Sequence, residues 1–390
     1  MKLFHTADWH LGKLVQGVYM TDDQRYVLEQ FVQAVAEEKP DAVIIAGDLY
    51  DRAIPPTEAV ELLDELLRKL VIELETPVLA IAGNHDSPDR LDFGTRLMES
   101  RGLHLAGRLR RELKPVVLRD EYGEVHFYLV PYADPSQVRV TMEDETIRTH
   151  DDAMRAIAAA IEAEADPAAR RVFVGHAFVT IGGEPQPNTS DSERPLAIGG
   201  AEHVSAAHYA GFHYTALGHL HQAHHVGDER IRYAGSPLKY SISEENHRKG
   251  LLVVELDAEG AITVEKRELK PRRDMRRVSA PIEVIETEHQ PSDDYVFVTL
   301  LNDNPVLFPM EKVRTVYPNA LHVERRLKSV RIEREDGAEE AAVSRRSADP
   351  VALFTSFYRE VKGIELEDDK RKLFEETFMD VMKTEGGGSQ

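Results

Sequence analysis

The fold is decided by the stretch AVIIAGD at residues 42–48, in which an apolar run leads directly into a glycine and an aspartate. A run that is apolar on both faces is typical of a strand buried inside an α/β sheet. Its carboxyl end, where Asp48 stands, belongs to the edge at which such sheets usually bind ligands. The stretch therefore predicts both a central strand and a functional carboxylate at its end.

Five short motifs of metal-ligand residues recur along the chain, and at least four of them directly follow a strand-like run. They are Asp8-Trp9-His10, Gly47-Asp48, Gly83-Asn84-His85-Asp86, Gly175-His176 and Gly218-His219-Leu220-His221. Because the strand ends of an α/β sheet meet at one edge, we expect one site rather than five. Carboxylate, amide and imidazole donors in this number are what a pair of metal ions requires.

The composition is typical of a soluble globular protein without thiolate ligands. The chain has 390 residues, of which 42% are hydrophobic and 30% charged, enough for one large domain and one or two smaller ones. It has no cysteine, which excludes disulfides and thiolate-bound metals and favours the cytoplasm. No apolar run approaches the roughly 20 residues of a membrane helix, and the N-terminus lacks a signal-like core. We expect a cytoplasmic protein that does not enter a membrane.

The formal net charge of -21 is unfavourable for binding a phosphate backbone, which requires Lys and Arg. The total does not exclude nucleic acid, because a metal site contains carboxylates and binding depends on local patches. The candidate DNA contacts lie in the basic stretch at residues 266–277 and are Arg272, Arg273, Arg276 and Arg277. A solvated linker is the alternative interpretation of that stretch.

The sequence pattern divides the chain into five parts. Apolar runs alternate with amphipathic segments through most of residues 1–271, which predicts a large α/β domain. Residues 272–336 predict a small α+β domain, and residues 337–348, rich in Glu, Ala, Ser and Arg, predict a linker. Residues 349–385 predict two amphipathic helices, which either bind a partner or pack on the small domain, and residues 386–390 predict a flexible tail.

The donor types assign roles within the predicted site. Asp8 and His10 are two residues apart at a strand end, so both side chains can reach one ion. Asp48 is the natural bridge, since ions roughly 3.5–4 Å apart need an anionic oxygen between them. The predicted ligands are Asp8, His10 and His221 for one ion and Asn84, His176 and His219 for the other, with Asp48 shared. Two Mn²⁺ ions suit these donors well, with Mg²⁺, iron or zinc as alternatives.

Three further residues of the motifs are predicted to support the chemistry. A metal pair makes hydroxide available near neutral pH and binds a phosphoryl oxygen. His85 follows a ligand but has no ligand role itself, so we predict that it acts as general acid on the leaving oxygen. Asp51 and Asp86 are predicted to orient the imidazoles. Trp9, the single tryptophan, is predicted to be a packing anchor rather than a base-stacking platform.

The order of the five motifs resembles that of the calcineurin-like metallophosphoesterases over roughly two-thirds of the chain. The flanking residues narrow the resemblance to the SbcD family, the nuclease subunits of bacterial double-strand-break nucleases. They are HTADWHLG at 5–12, GDLYD at 47–51, GNHDS at 83–87 and GHAF at 175–178, followed by Gly182-Gly183. The small domain and the C-terminal helices also match the layout of that family.

The resemblance implies a fold, an activity and partners. The fold would be α/β, with two facing β-sheets flanked by helices, a small capping domain and a C-terminal helical segment. The activity would be metal-dependent cleavage of DNA phosphodiesters, as a double-strand exonuclease and a single-strand or hairpin endonuclease, with manganese as cofactor. The partner would be an ATPase of the SbcC type with long coiled coils, bound by the C-terminal helices.

The segment from Thr57 to Leu74 predicts a helix with more apolar residues than one buried stripe needs. The apolar residues are Val60, Leu62, Leu63, Leu66, Leu67, Leu70, Val71 and Ile72. Such a helix is either fully buried or shared with a second subunit. Because the family pairs its nuclease subunits through helices near this position, the resemblance favours a homodimer.

Two other functions are compatible with the same motifs. A phosphatase or small-molecule phosphodiesterase needs the same metals, but it needs neither the small domain nor the C-terminal helices. A module that only tethers DNA ends would carry a degenerate site, and the complete ligand set argues against it. A DNA nuclease is therefore the leading hypothesis.

Overall fold

The computed structural model describes residues 1–182, 189–193, 196, 203–326, 350–362 and 365–385. The chain divides into two compact units, Met1–Leu327 and Lys328–Gln390. The predicted linker at 337–348 and the predicted tail at 386–390 lie outside the described residues. The other proposed domain boundaries stay predictions.

Strands make up most of the first unit. In chain order they are β1 (Lys2–Thr6), β2 (Leu14–Val15), β3 (Val18–Tyr19), β4 (Ala42–Ala46), β5 (Val78–Ile81), β6 (Leu103–Ala106), β7 (Val116–Asp120), β8 (Gly123–Val130), β9 (Arg170–His176), β10 (Phe178–Thr180), β11 (His203–Ser205), β12 (Tyr214–Gly218), β13 (His224–Val226), β14 (Asp228–Tyr233), β15 (Gly250–Leu256), β16 (Ile262–Glu268), β17 (Met275–Ala280), β18 (Tyr295–Leu300) and β19 (His322–Arg325).

The helices of the first unit are α1 (Thr21–Glu38), α2 (Thr57–Leu67), α3 (Pro88–Leu91), α4 (Thr95–Met98), α5 (Pro135–Met142), α6 (His150–Glu164), α7 (Ile282–Glu288) and α8 (Pro309–Arg314). A π-helical segment at Arg68–Glu73 continues α2, and short 3₁₀ turns lie at Glu99–Arg101, Ala206–Tyr209 and Ile242–Glu244. The second unit contains α9 (Pro350–Lys362) and α10 (Asp368–Glu385).

Two six-stranded sheets form the centre of the first unit, in the orders β16-β15-β1-β4-β5-β6 and β13-β14-β12-β9-β8-β7. The middle strands of each sheet run parallel, and β15 and β16 complete the first sheet in antiparallel pairing. Apolar side chains from both sheets, among them Ile44, Leu79 and Val174, share one core. Two further cores lie against the helices α1 and α2 and the helix α6. The prediction of two facing sheets flanked by helices is confirmed.

The helix predicted from Thr57 to Leu74 is α-helical only to Leu67 and then widens into the π-helical segment Arg68–Glu73. The added residue of a π turn shifts the helical register, and both Leu70 and Val71 remain buried. Leu62, Leu63 and Leu66 are buried in the same apolar core, so most of the apolar residues of this segment pack within the subunit. Val60 and Ile72 are the large apolar residues of this segment that are exposed, at 44% and 57%.

The strands β17, β18 and β19 form a separate small sheet with its own apolar core. All three strands are parallel, and α7 and α8 lie in the two crossovers along the chain. The small domain predicted as α+β therefore has a βαβαβ topology. The sequence pattern had indicated the helix near Met310 but not α7, because α7 is only two turns long.

The two helices of the second unit contact each other through aromatic rings. Phe354 of α9 stacks on Phe374 of α10 with ring centroids 3.9 Å apart. Leu353, Phe357 and Leu373 remain exposed on these helices. No helix of the described part of the chain is long and apolar enough to span a membrane.

Trp9, the middle residue of the first motif, is fully buried. Its Nε1–H donates to Thr6 Oγ1 at 2.9 Å, and its ring meets the edge of Phe31 at a centroid distance of 5.9 Å. Its backbone carbonyl accepts a hydrogen bond from Gln24 Nε2 at 3.1 Å. The prediction that Trp9 is a packing anchor is confirmed, and a base-stacking role is excluded by its burial.

We expect Trp9→Ala to lower the free energy of unfolding by about 3–5 kcal/mol, because it leaves a large cavity between β1 and α1. Urea denaturation of the metal-free protein measures the change. Val140→Ala is the control, since Val140 is exposed on α5 and its truncation should change stability by less than about 0.5 kcal/mol. Equal effects of the two substitutions would contradict the packing role.

Candidate metal centre

The predicted ligands meet where strands of the two sheets end on the same side. Asp8 and Asp48 follow β1 and β4, and Asn84 lies just beyond β5, all in the first sheet. His176 ends β9 and His219 follows β12, both in the second sheet. A single sheet could not gather all these donors, so the facing arrangement of the two sheets creates the cluster.

Glycines precede two of the ligands where backbones approach closely, at Gly218 between the two sheets and at Gly83 beside the loop after β4. A Cβ atom on Gly218 would lie 1.9 Å from the carbonyl oxygen of Ala46 and 2.9 Å from His176 Nδ1. A Cβ atom on Gly83 would lie 2.1 Å from Asp48 Oδ1. Any larger residue at either position would push the ligand-bearing loops apart.

Four of the predicted ligands have positive φ angles, which non-glycine residues rarely adopt. The values are 54° for Asp8, 46° for His10, 51° for Asp48 and 108° for His219. Such conformations cost of order 1–3 kcal/mol each and persist only where the surrounding structure holds them. Hydrogen bonds do so here: His10 N–H donates to Asp48 O at 2.9 Å, and His219 N–H donates to Asp8 Oδ1 at 2.9 Å.

Ligand atoms lie within 4.8 Å of one another in three groups, of which two consist of predicted ligands and the third joins His10 to Asp51 and His85. The first contains Asp8, His10 and His221, and the Nε2 atoms of the two imidazoles are 3.0 Å apart. The second contains Asp8, Asp48 and His176, with His176 Nε2 3.4 Å from Asp48 Oδ2. Asp48 Oδ2 also lies 3.6 Å from His10 Nε2, so this carboxylate reaches both groups.

Asn84 and His219 adjoin the second group. Asn84 Oδ1 lies 3.0 Å from His176 Nε2, and the ring of His219 lies 5.4 Å from that of His176. All seven predicted ligands are therefore close together, and Asn84 is the only one of them that is not buried. Their coordination roles stay predictions.

The charges of the cluster fit divalent cations. Asp8 and Asp48 are 0% and 2% exposed, and within the described part of the chain neither forms an ion pair with a Lys or Arg. Burial raises the pKa of Asp8 well above its usual value, and the nearby Asp48 adds to the rise. Burial also lowers the pKa of His10 and His219 well below the usual value, so both imidazoles are neutral. Although burial acts to lower it, the neighbouring Asp48 raises the pKa of His176 to about 9. Bound metal ions would replace that proton as the positive charge beside the two buried carboxylates.

His85 lies beside the cluster with one ring nitrogen already engaged. Its Nδ1–H donates to the backbone carbonyl of Asp51 at 2.8 Å, and its backbone N–H donates to Asp48 Oδ1 at 2.9 Å. Its ring is 4.6 Å from the ring of His10. The contact with Asp51 fixes the orientation of the imidazole and leaves Nε2 available for a substrate.

The two carboxylates predicted to orient imidazoles have other partners. Asp86 accepts hydrogen bonds from the backbone N–H groups of Leu49, Tyr50 and Gly83 at 2.9–3.1 Å, so it holds two ligand loops together. The prediction that Asp86 orients an imidazole is wrong, because these three donors surround its carboxylate. The side chain of Asp51 pairs with Lys13 Nζ at 2.8 Å and lies 3.7 Å from His10 Nδ1, too far for a hydrogen bond. Its backbone carbonyl is what contacts His85.

Sequence reasoning missed Glu244, a fully buried carboxylate that contacts a predicted ligand. Glu244 Oε1 lies 3.1 Å from His221 Nδ1, and its Oε2 pairs with the buried Lys249 at 2.6 Å. Although burial acts to raise it, Lys249 and His221 hold the pKa of Glu244 well below its usual range. The carboxylate thus accepts the Nδ1–H of His221 and leaves Nε2 unprotonated for a metal. No local spacing signals this role, because Glu244 belongs to no ligand motif.

Gln24 was also missed, and it fixes the backbone of the first motif from α1. Its Nε2 donates to the carbonyls of Trp9 and His10, and its Oε1 accepts the N–H of Gly12 at 3.1 Å. Its side chain is fully buried. A glutamine inside the apolar face of a predicted helix was the signal that could have identified it.

The four candidate DNA contacts form ion pairs within the protein. Arg272 and Arg273 pair with Asp23, Arg276 with Asp294 and Arg277 with Glu245. In the described part of the chain, none of the four arginines forms an ion pair with a predicted metal ligand. DNA binding by these arginines stays a prediction.

We expect Mn²⁺ to raise the melting temperature, because it neutralises buried carboxylates only in the folded state; binding at 100-fold above the Kd stabilises by about 2.7 kcal/mol. Differential scanning fluorimetry with and without a chelator measures the shift. Asp48→Asn should lose most of the shift in melting temperature. Asp228→Asn is the control and should keep the shift, since Asp228 belongs to an exposed ion pair with Arg230. An undiminished shift in Asp48→Asn would contradict the assignment.

Comparisons with known proteins agree with this geometry. The family model described as calcineurin-like phosphoesterase matches residues 1–223, and the model described as type 5 capsule protein repressor C-terminal domain matches residues 271–362. The SbcD subunit of the nuclease SbcCD from Staphylococcus epidermidis is 36% identical over 324 residues, which cover 82% of this chain and 84% of the relative.

Solved structures with low sequence identity are also similar. A protein from Thermus thermophilus covers 68% of this chain and 98% of its own length, with a TM-score of 0.38 and 14% identity. A dimetal phosphatase from Danio rerio covers 69% of this chain and 96% of its own length, with a TM-score of 0.39 and 12% identity. On the family model and the curated relative, the chain belongs to the calcineurin-like phosphoesterases and, within them, to the SbcD family of nuclease subunits.

Proposed function

We propose that this chain is a metal-dependent DNA nuclease that processes DNA ends, as a double-strand exonuclease and a single-strand or hairpin endonuclease. The observation that carries the proposal is the gathering of seven donors from two sheets beside His85, in a member of a phosphodiester-cleaving family. The relative that is named as part of the SbcCD nuclease supports DNA as the substrate.

The cofactor of the proposed enzyme is a pair of divalent ions, with manganese favoured over magnesium, iron or zinc. Asp8, His10 and His221 would hold one ion, and His176, Asn84 and His219 the other, with Asp48 shared. Bound there, the ions would activate water as a nucleophile and offset the negative charge of a phosphodiester. The imidazole-rich donor set without thiolate supports manganese.

His85 is the proposed general acid. Because its Nδ1–H is bound to the carbonyl of Asp51, its Nε2 is the nitrogen that can carry a proton to the substrate. As the bond between phosphorus and the departing 3′-oxygen breaks, Nε2 would donate its proton to that oxygen. A donor positioned in this way typically accelerates a reaction by about 10²–10⁴-fold.

The alternative functions are less well supported. A phosphatase or small-molecule phosphodiesterase would need neither the small sheet β17–β19 nor the helices α9 and α10. A module that only tethers DNA ends would not need strained backbone at four ligand positions. The nuclease accounts for both features.

The proposed macromolecular partners are DNA and an SbcC-type coiled-coil ATPase. The exposed Leu353, Phe357 and Leu373 of α9 and α10 support a protein contact through the C-terminal helices. For Arg272 and Arg273 to contact DNA, they would exchange Asp23 for a phosphate. The match of residues 271–362 to the C-terminal family model supports a shared role of this region.

We also propose a homodimer that uses the outer surface of α2 and the π-helical segment. Leu66 cannot belong to such an interface, because it is buried in the core of its own subunit. The exposed Val60 and Ile72 are the apolar residues of this segment that a second copy could cover. The interface would therefore rest on fewer residues of this helix than its apolar count indicates.

The proposed activity is tested by incubating the protein and Mn²⁺ with linear duplex, hairpin and single-stranded DNA. Parallel reactions contain p-nitrophenyl phosphate and its bis-ester. We expect cleavage of DNA and loss of that cleavage in Asp48→Asn, because the shared carboxylate is removed. Hydrolysis of the monoester while all DNA remains intact would show that the phosphatase alternative is right.

We expect His85→Asn to reduce DNA cleavage by about 10²–10⁴-fold while the protein still binds Mn²⁺, because the acid is lost but the ligands remain. Gel assays of cleavage and elemental analysis of bound metal measure the two effects. His225→Asn is the control, since His225 is a surface residue beside Glu229. Undiminished cleavage by His85→Asn would remove this residue from the mechanism.

We expect Val60→Glu to shift the protein from dimer to monomer in sedimentation velocity, because it places a charge in the proposed interface. Val140→Glu on α5 is the matched control, also an exposed valine on a helix. A dimer that persists in Val60→Glu would rule out the α2 surface. A wild type that sediments as a monomer would rule out the homodimer itself.

A further inference from the structure

A short segment, residues 189–193, contacts the predicted metal ligand His221 from outside the sheets. Ser192 Oγ lies 2.7 Å from His221 Nδ1, closer than Glu244 Oε1 at 3.1 Å. Glu193 Oε1 accepts the backbone N–H of His221 at 2.8 Å. The segment therefore holds both the side chain and the main chain of this one residue.

The hydroxyl of Ser192 also bonds Glu244, so three groups close a triangle around the Nδ1 proton. The Nδ1–H of His221 is shared between Ser192 Oγ and Glu244 Oε1, while the hydroxyl of Ser192 donates to Glu244. Glu244 is fully buried and paired with Lys249, whereas Ser192 is half-buried and comes from a different element. Two restraints from different parts of the chain, linked by the bond from Ser192 to Glu244, thus act on one imidazole.

The segment is anchored by contacts beyond His221. Ser190 Oγ donates to Glu244 Oε1 at 3.1 Å, and the N–H of Asp191 donates to Ser243 Oγ at 3.0 Å. Glu193 Oε2 accepts the N–H of Ser190 at 2.9 Å, which closes the turn. A chain segment that only covered the surface would not direct two side chains to one predicted ligand.

We propose that Ser192 and Glu193 are positioning residues that hold His221 for metal binding and couple residues 189–193 to metal occupancy. This inference rests on the proposed metal centre. The geometry gives the reason: with Nδ1–H bonded to the segment, the lone pair of Nε2 faces His10 Nε2, 3.0 Å away, in the first ligand group. Groups that orient a ligand imidazole typically raise metal affinity by about 10–100-fold.

Coupling is reciprocal, so bound metal must stabilise the segment by the same factor by which the segment favours metal. Metal ions that fix the ring of His221 would fix Ser192 and the turn closed by Glu193. The backbone N–H groups of residues 189–193 should then exchange with solvent more slowly when Mn²⁺ is present. A merely structural turn would show no such dependence.

The test uses isothermal titration of the full-length metal-free chain with Mn²⁺. We expect Ser192→Ala to weaken binding about 10–100-fold, and Ser192→Thr, which keeps the hydroxyl, to retain nearly wild-type affinity. Ser100→Ala is the control, since its exposed hydroxyl bonds the carbonyl of Leu97. Circular dichroism establishes that each variant is folded before titration.

Hydrogen exchange measured by mass spectrometry provides a second readout on wild-type protein. We expect Mn²⁺ to slow exchange in residues 189–193 and expect no slowing in Asp8→Asn, which lacks a ligand of the same group. If the wild type binds Mn²⁺ but Ser192→Ala binds equally and exchange is unchanged, the inference is overturned and the nuclease proposal stands. If the wild type binds no divalent ion, the metal centre and the proposed function both fail.

Discussion

The burial of two carboxylates without a Lys or Arg partner among the described residues is the constraint on which the rest of the structure depends. Asp8 and Asp48 lie between the two sheets and meet imidazoles rather than Lys or Arg. Uncompensated charge in such a place is costly, so the fold is fully stable only with cations bound or with protons taken up. The strained backbone of four predicted ligands and the close packing at Gly83 and Gly218 hold these carboxylates in place.

Support for this cluster comes from groups outside the set of predicted ligands. Asp86 gathers three backbone N–H groups of two loops, and Gln24 does the same for the first motif with two carbonyls and one N–H. Glu244, held by Lys249, fixes the ring of His221. Each support is a buried polar side chain with its hydrogen bonds satisfied, the condition under which such networks rigidify a site.

Strand ends were predictable because apolar runs and ligand motifs are adjacent in sequence. The apolar run predicted at residues 42–46 is β4, and the motifs with Asp8, Asn84, His176 and His219 lie at or just beyond the ends of β1, β5, β9 and β12, as predicted. The helix at Thr57 was predicted too long, since apolar spacing alone does not distinguish α from π turns. The parallel order of the small sheet was missed because α7 spans only seven residues and gives little periodic signal.

The sequence by itself determined the ligand types, their order and their attachment to strand ends, since these depend on neighbours along the chain. Only the tertiary structure decided which ligands share a group, that Asp86 holds backbone rather than an imidazole, and that Glu244 and Ser192 meet at His221. The contacts of Glu244 with His221 and with Ser192 join residues 23 and 52 positions apart, and no local period encodes them. They exist because the fold places the turn Ile242–Glu244 and residues 189–193 beside the loop after β12, and a hydrogen bond depends on distance in space rather than on separation along the chain.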